Sequence, residues 1–255
     1  MKFQEMTWPQ LKQVDREGTL VLAPVAACEQ HGPHLPTFTD SLVADAIAEG
    51  VETELVDQVL LLPVLWLGAS EHHLPFGATL TVRAETHIAM LTELARPLLV
   101  DGYRRLLFLN AHGGNTDTMH VALRRLQREH PDVLLTGAGF WQLAEHELSE
   151  LCESPQTGPL HACEVETSMV LALRPELVQD AIRSDYHKQL PDKLNGLYLC
   201  EDMAQCTQDG IVGYPSYGTA AKGEKFLRAS IDRVVEACRE LLQTRLPLAR
   251  NPKDG

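Results

Sequence analysis

Thr19-Leu20-Val21-Leu22-Ala23-Pro24-Val25-Ala26-Ala27 is an apolar run bounded by Gly18 on one side and by Cys28-Glu29-Gln30-His31-Gly32-Pro33 on the other. Its length and composition predict a buried strand running out into a polar loop. Thr39-Asp40 comes next, and Leu42, Val43, Ala46, Ile47, Val51 and Leu55 then recur at helical spacing before a second apolar run, Val59 to Val64. Strand, helix, strand is the order of a β-α-β unit.

The order repeats. A helix is predicted from about Glu85 to Val100, with Ile88, Leu91, Leu94, Ala95 and Leu98 on one stripe and a bend at Pro97, followed by a strand from Arg105 to Asn110. Asn115 is placed to cap the next helix, whose Met119, Ala122, Leu123 and Leu126 precede a strand-like run, Val133 to Thr136. Alternation of this kind predicts an α/β fold with a mostly parallel sheet. After Ser154 the rhythm changes: Glu164 to Leu173 and about Lys222 to Leu242 read as helices, and between them Ser184 to Thr219 has no period and suits a functional loop or an oligomer contact.

The chain has 255 residues, 44% hydrophobic and 22% charged, enough apolar material for one domain spanning 1–255. A net charge of −13 argues against nucleic acid as a partner, since the densest basic positions, Arg104-Arg105 and Arg124-Arg125 with Arg128, suit a solvated helix face. Six cysteines form no C-x-x-C pair, which predicts a reduced, cytoplasmic protein. The first residues lack an apolar signal core, and Pro63 interrupts the longest greasy run, Val59 to Ala69, so no membrane span is expected.

Ligands of open parallel sheets bind beyond the carboxyl ends of the strands, and the polar clusters fall there. The first strand leads to Glu29, His31, His34 and Asp40, the second precedes Glu71-His72-His73, and the third leads to Asn110-Ala111-His112-Gly113-Gly114-Asn115. Glu29 and His31 lie two apart, so extended backbone would put both on one face. Asp40, at a loop-to-helix junction, reads equally as an N-cap or a metal ligand. His112 is placed at the sheet edge, as a ligand or as a histidine bonded to loop backbone. Further on, His161-Ala162-Cys163-Glu164-Val165-Glu166-Thr167-Ser168 offers two carboxylates near a helix start. The mixture suits zinc or manganese, and a pair of ions needs a bridging carboxylate, for which Asp40 fits.

On Glu29 to Pro36 with Thr39-Asp40, Pro75 to Leu80, Asn110 to Asn115 and His161 to Ser168, the chain resembles the creatininase (creatinine amidohydrolase) family, with a further match over Gly210 to Pro215 and Lys222-Gly223. The resemblance implies a three-layer α/β/α sandwich, a two-metal centre holding Zn²⁺, Mn²⁺ or Fe²⁺, and a homo-oligomer, often a hexamer. It assigns Glu29, Asp40 and His112 to one ion, and His31, Asp40 and a glutamate to the other. Creatininase proper takes that glutamate from the position that is Gly114 here. Most other members have a glutamate where Glu164 stands, so the resemblance implies Glu164 as the ligand with Glu166 behind it, and His161 matches the family's proton-transferring histidine. Ala111 and Cys163 replace glycines usual in the motifs, Tyr214 stands where aspartate is frequent, and Gly113-Gly114 in place of the creatininase pair argues against creatinine as the substrate.

The expected reaction is hydrolysis of a C–N bond in a small cyclic amide, lactam or formamide. The alternatives are a peptidase of peptide-derived cofactor maturation and a non-catalytic scaffold. The amides of Gly113 and Gly114 can assist an oxyanion or merely form a tight turn. His73 reads as pocket lining or a partner contact, His34 as lining the mouth or orienting a carboxylate, and Trp141 as substrate shelter or plain core. No G-x-S-x-G motif offers a rival nucleophile, and Cys163 reads as a small buried hydrophobe.

Overall fold

The computed structural model describes residues 1–155, 158–186 and 199–248. Four strands, β1 (Leu20–Val25), β2 (Val59–Leu61), β3 (Arg105–Asn110) and β4 (Leu134–Gly139), form one sheet in the order β2-β1-β3-β4, with every pairing parallel. The long helices are α1 (Thr39–Glu54), α2 (Ala84–Val100), α3 (Thr116–Glu129), α4 (Glu164–Leu173) and α5 (Ala220–Gln243).

Successive strand residues face opposite sides of a sheet, and here both sides are buried. Leu20 and Leu22 share a core with Val43, Ile47 and Val51 of α1, Val165 and Met169 of α4, and Phe226, Val234 and Val235 of α5. Val21, Ala23 and Val25 share the opposite core with Ile88, Leu91 and Leu99 of α2 and Met119, Ala122 and Leu126 of α3. The result is the expected three-layer α/β/α sandwich. Each fully buried valine, leucine or isoleucine contributes about 1.5 to 3 kcal/mol, so the two stripes of α1 and α2 hold the layers together, with no disulfide among the described cysteines.

Some boundaries differ from the periodicity. β4 runs on through Gly137-Ala138-Gly139, which carry no strand signal, because pairing with β3 continues to Asn110 and Gly137 lets Met119 and Leu123 of α3 press against the backbone. Helix α2 continues through Pro97 in its last turn. Asn115 makes no capping bond to α3, its side chain being taken by other partners. In the Ser184 to Thr219 stretch, a short helix, Met203–Cys206, and isolated bridges of Tyr186 to Gly213 and of Val212 to His161 are present. The rest of that expectation, residues 187–198, lies outside the described residues. No described helix is long and apolar enough to cross a membrane.

The chain leaves β1 to one side for β2, then crosses to the other side for β3. Connections therefore diverge from the carboxyl ends of β1 and β3, the position at which ligands of such sheets bind, and the polar loops that follow the two strands meet there. Val25 pairs with Asn110, so Glu29 and His112 start from the same level of the sheet.

Candidate metal centre

Beyond β1 the backbone stays locally extended, held by a bridge of Cys28 to Leu80 and a hydrogen bond from Glu29 N–H to the Thr37 carbonyl. Gly32 then turns with φ +64, under Ile211. This path sends Glu29 and His31 into the same cluster, as their spacing predicted. Asp40 lies in the first turn of α1, where Phe38, not Asp40, is the N-cap residue. His112 follows β3 directly, its backbone clamped on both sides by Asn110, which accepts from its N–H at 3.0 Å and donates to its carbonyl at 2.7 Å.

The side chains converge in two sets that share one carboxylate. Glu29, Asp40 and His112 form the first, and His31, Asp40 and Glu166 the second, all potential donor atoms within each set lying inside 4.8 Å of one another. Asp40 Oδ2 lies 3.4 Å from His112 Nδ1, and Oδ1 lies 3.0 Å from His31 Nε2. Glu29 Oε1 is 3.2 Å from His112 Nδ1, and Glu166 Oε2 is 3.9 Å from His31 Nε2. A third overlapping set, Glu29, His31 and His161, places His161 beside them, its ring centroid 4.3 Å from that of His31.

These residues fit a pair of divalent cations. Buried polar atoms normally find hydrogen-bond partners, yet Glu29 Oε2, His31 Nε2 and Asp40 Oδ2 make no hydrogen bond. Among the described residues no lysine or arginine pairs with Glu29, Asp40 or Glu166, so three carboxylates share a site without a fixed basic partner. The outer nitrogen of each ligand-type histidine faces a backbone carbonyl: His31 Nδ1 lies 3.1 Å from the Glu29 carbonyl, and His112 Nε2 lies 3.2 Å from that of Ala69. Hydrogen bonds there leave the inward nitrogen free to bind a metal.

Electrostatics agree. Burial disfavours the charged form of His31, but Asp40 overrides it and holds the ring up to about 10. His112 is raised against burial by Glu29 and Asp40. Burial also raises the Glu166 carboxyl, to about 7, while Glu29 is held well below the usual carboxylate range because His112 outweighs the cost of burial. A cation entering such a cluster displaces protons from these groups. His161 is different: burial, reinforced by the His31 charge, keeps it neutral.

Glu164 is not brought to the cluster. Its carboxylate accepts from Lys222 Nζ at 2.7 Å and from the N–H groups of Glu153 and Ser154, and Glu166 takes the place expected of it. Residues two apart on a helix point to different sides, so α4 can deliver only one of the pair. Ala162, at φ +52, turns the chain into α4 and donates its N–H to Glu166 Oε2 at 2.5 Å, fixing which one.

Other expectations are also revised. Trp141 packs half-buried over Gly139 and edge-on to Phe140, against the core, as its plain-core alternative expects. His34 is fully buried behind the site, its Nε2 2.9 Å from Thr167 Oγ1, and does not line a mouth. His73 is buried too, 3.2 Å from Glu29 Oε1, and so is no partner contact. Gly113 and Gly114 form a tight turn, Gly113–Asn115, and a Cβ on Gly114 would come within 2.4 Å of the Ala69 carbonyl and 2.5 Å of His112 Nε2. A side-chain ligand from that position has no room.

Two residues, Gln30 and Ser70, carried no role in the sequence reading, and a third, Asn115, was read there only as a helix cap. Gln30 contacts His73 and His161, Ser70 Oγ lies 3.2 Å from His112 Nε2, and Asn115 ties three segments by bonds to Ala69 N–H, the Ala26 carbonyl and Asn110 Oδ1. Their one signal was adjacency to ligand candidates.

Known proteins resemble this chain in sequence and in fold. The family model described as creatinine amidohydrolase matches residues 4–238. The chain is 31% identical over 237 residues, 90% of its length and 84% of the relative's, to a mycofactocin precursor peptide peptidase of Mycobacterium ulcerans. It is 25% identical to a 3-dehydro-scyllo-inosose hydrolase of Thermotoga maritima, covering 98% of this chain and 86% of that one. A crystal structure of a candidate creatinine amidohydrolase from Bacteroides fragilis superposes with a TM-score of 0.80 at 26% identity, covering 96% of this chain and 97% of that one. With that family model spanning residues 4–238 and a relative 31% identical over most of both chains, the chain belongs to the creatininase family of hydrolases.

Proposed function

We propose that this protein is a two-metal hydrolase that cleaves the C–N bond of a small cyclic amide, lactam or formamide. The observation that carries the reading is Asp40, whose two oxygens face two different donor sets. Glu29, Asp40 and His112 would hold one ion, and His31, Asp40 and Glu166 the other. Zinc is proposed, with manganese or iron(II) equally at home among mixed nitrogen and oxygen donors. When bound, such ions acidify water and polarise a carbonyl. His161, neutral and with Nδ1 turned toward the cluster, is the residue that would accept a proton from the attacking water at Nδ1 and pass it to the departing nitrogen. Glu29, His31, Asp40 and His112 are each no more than 5% exposed, and a recessed centre of this kind supports a compact substrate.

A second reading, a peptidase, is favoured by the 31% identity to the mycobacterial relative. A chain end threaded to the same centre would meet the same groups. Cytoplasmic location and a homo-oligomer, hexameric in this proposal, complete the reading. Support for assembly comes from Phe38 and Trp66, 37% and 40% exposed with ring centroids 6.5 Å apart. Light scattering on the purified protein tests it.

The functional test is elemental analysis of gently purified protein and of Asp40→Ala, followed by amine-release assays on cyclic amides, formamides and short peptides in parallel. About two ions per chain in the parent and a large loss in the variant are expected. A parent that takes up neither zinc nor manganese overturns the mechanism, and turnover of peptides alone selects the second reading.

A further inference from the structure

Gln30 stands between two proposed ligands in sequence, Glu29 and His31, yet its side chain leaves the carboxylates and enters the histidines beside them. The orientation of its amide is fixed, because Oε1 accepts the Gly32 N–H at 2.9 Å and the other atom must be nitrogen. That Nε2 lies 2.9 Å from His73 Nδ1. An amide nitrogen only donates, so Nδ1 is the lone-pair nitrogen of His73 and the ring proton of the neutral imidazole sits on Nε2, 3.2 Å from Glu29 Oε1.

The backbone carbonyl of the same residue acts on His161. It lies 2.8 Å from His161 Nε2, and two lone pairs do not face each other at that distance, so Nε2 carries the proton. The amide Nε2, 3.1 Å from the same ring nitrogen, then faces a donor and makes no hydrogen bond to it, its own N–H being directed to His73 Nδ1 at the shorter distance. His161 Nδ1 is thereby left as the accepting nitrogen, 3.7 Å from Glu29 Oε1. A Cβ on Gly210, where φ is +78, would come within 1.9 Å of Gln30 Oε1, so the amide is packed from behind as well as bonded.

We propose that Gln30 is a positioning residue: its side chain sets the His73 ring to donate to Glu29, its carbonyl holds His161 with a free Nδ1 at the site, and Gly210 locks the amide in place. The proposal deepens the hydrolase reading and rests on it for the role of His161.

Long-range proton–nitrogen correlation spectra of ¹⁵N-labelled protein, zinc-loaded and metal-stripped, read which ring nitrogen carries the proton and need no substrate. The parent is expected to show His73 and His161 both protonated on Nε2 alone. Gln30→Glu preserves shape but replaces the donor with an acceptor, so the His73 proton moves to Nδ1, zinc affinity falls about 10-fold or more, and kcat falls with KM little changed. Gly210→Ala displaces the amide and is expected to weaken the same His73 signature with Gln30 intact. A parent His73 protonated on Nδ1, or a Gln30→Glu protein with the parent's His73 form and zinc affinity, overturns the proposal. Should Gln30→Glu fail to fold, the parent spectra still decide. Correct ring forms in a protein that hydrolyses no amide refute the functional reading and leave the positioning intact.

Discussion

The carboxylate of Glu164 accepts a hydrogen bond from the ammonium of Lys222 at 2.7 Å, joining the first turn of α4 to the first turn of α5. Both are nearly buried, with side-chain exposures of 2% and 11%, and Lys222 has a second carboxylate, the exposed Glu153 at 3.1 Å, so losing the Glu164 charge weakens the pairing of the ammonium without stranding it. Glu164→Gln is therefore expected to cost about 2 kcal/mol of stability and to leave zinc stoichiometry unchanged. Urea midpoints and metal content, measured together, check both halves. Loss of zinc with stability unaltered contradicts the assignment.

Glu166→Gln should do the reverse. Its carboxylate belongs to the set with His31 and Asp40, and the Ala162 N–H it accepts can still be accepted by an amide oxygen. One ion of the expected two is lost, with a stability change under about 1 kcal/mol in the metal-free protein. Elemental analysis showing two tightly held ions in this variant would return the fifth ligand to another residue.

The two glycines after His112 separate cleanly. A Cβ on Gly113 meets nothing within 4 Å, whereas one on Gly114 strikes the Ala69 carbonyl, which cannot swing aside as a side chain can. Gly113→Ala is expected within about 0.5 kcal/mol of the parent, and Gly114→Ala to lose about 2 kcal/mol together with zinc affinity. Equal tolerance of both substitutions in thermal unfolding and zinc titration would refute the close packing of this turn.

Acid sensitivity has an identifiable source outside the ligand set. Burial holds His87 down at about 4, with a smaller push from His112, and burial and then Arg183 hold His34 at about 4. Unfolded histidine titrates near 6.5, so between those values the unfolded chain binds more protons and stability falls as pH falls. Each contributes about 2 kcal/mol of loss between pH 7 and 4.5. His87→Gln should flatten this slope, measured by urea unfolding of metal-free protein at both pH values, and an unchanged slope excludes His87 as a source.

The layers were legible because their signals are local. Strand β3 and helix α4 fall at the bounds expected from apolar runs and spacing, and the two faces of β1 follow from alternation. Glu29, His31, Asp40 and His112 were legible because each follows a strand or opens a helix. The choice between Glu164 and Glu166 was not, since it depends on Lys222, 58 residues away, and on the turn at Ala162. Nor was Trp141, whose ring is placed by a glycine two residues earlier in a strand that only pairing with β3 defines.

The strand order has a consequence for biosynthesis. β1 is central, yet it pairs along its full length only with β3, Leu20 to Val25 opposite Arg105 to Asn110, and over half its length with β2. As the chain emerges from the ribosome, β1 must wait for some eighty residues to follow before its long edge is covered. Through that interval an unbroken apolar run with an open edge is available to neighbouring nascent chains. The same residues that bring Glu29 level with His112 in the finished protein are thus its sticky segment during synthesis, and a holdase that recognises short apolar stretches would find its target at Leu20 to Val25.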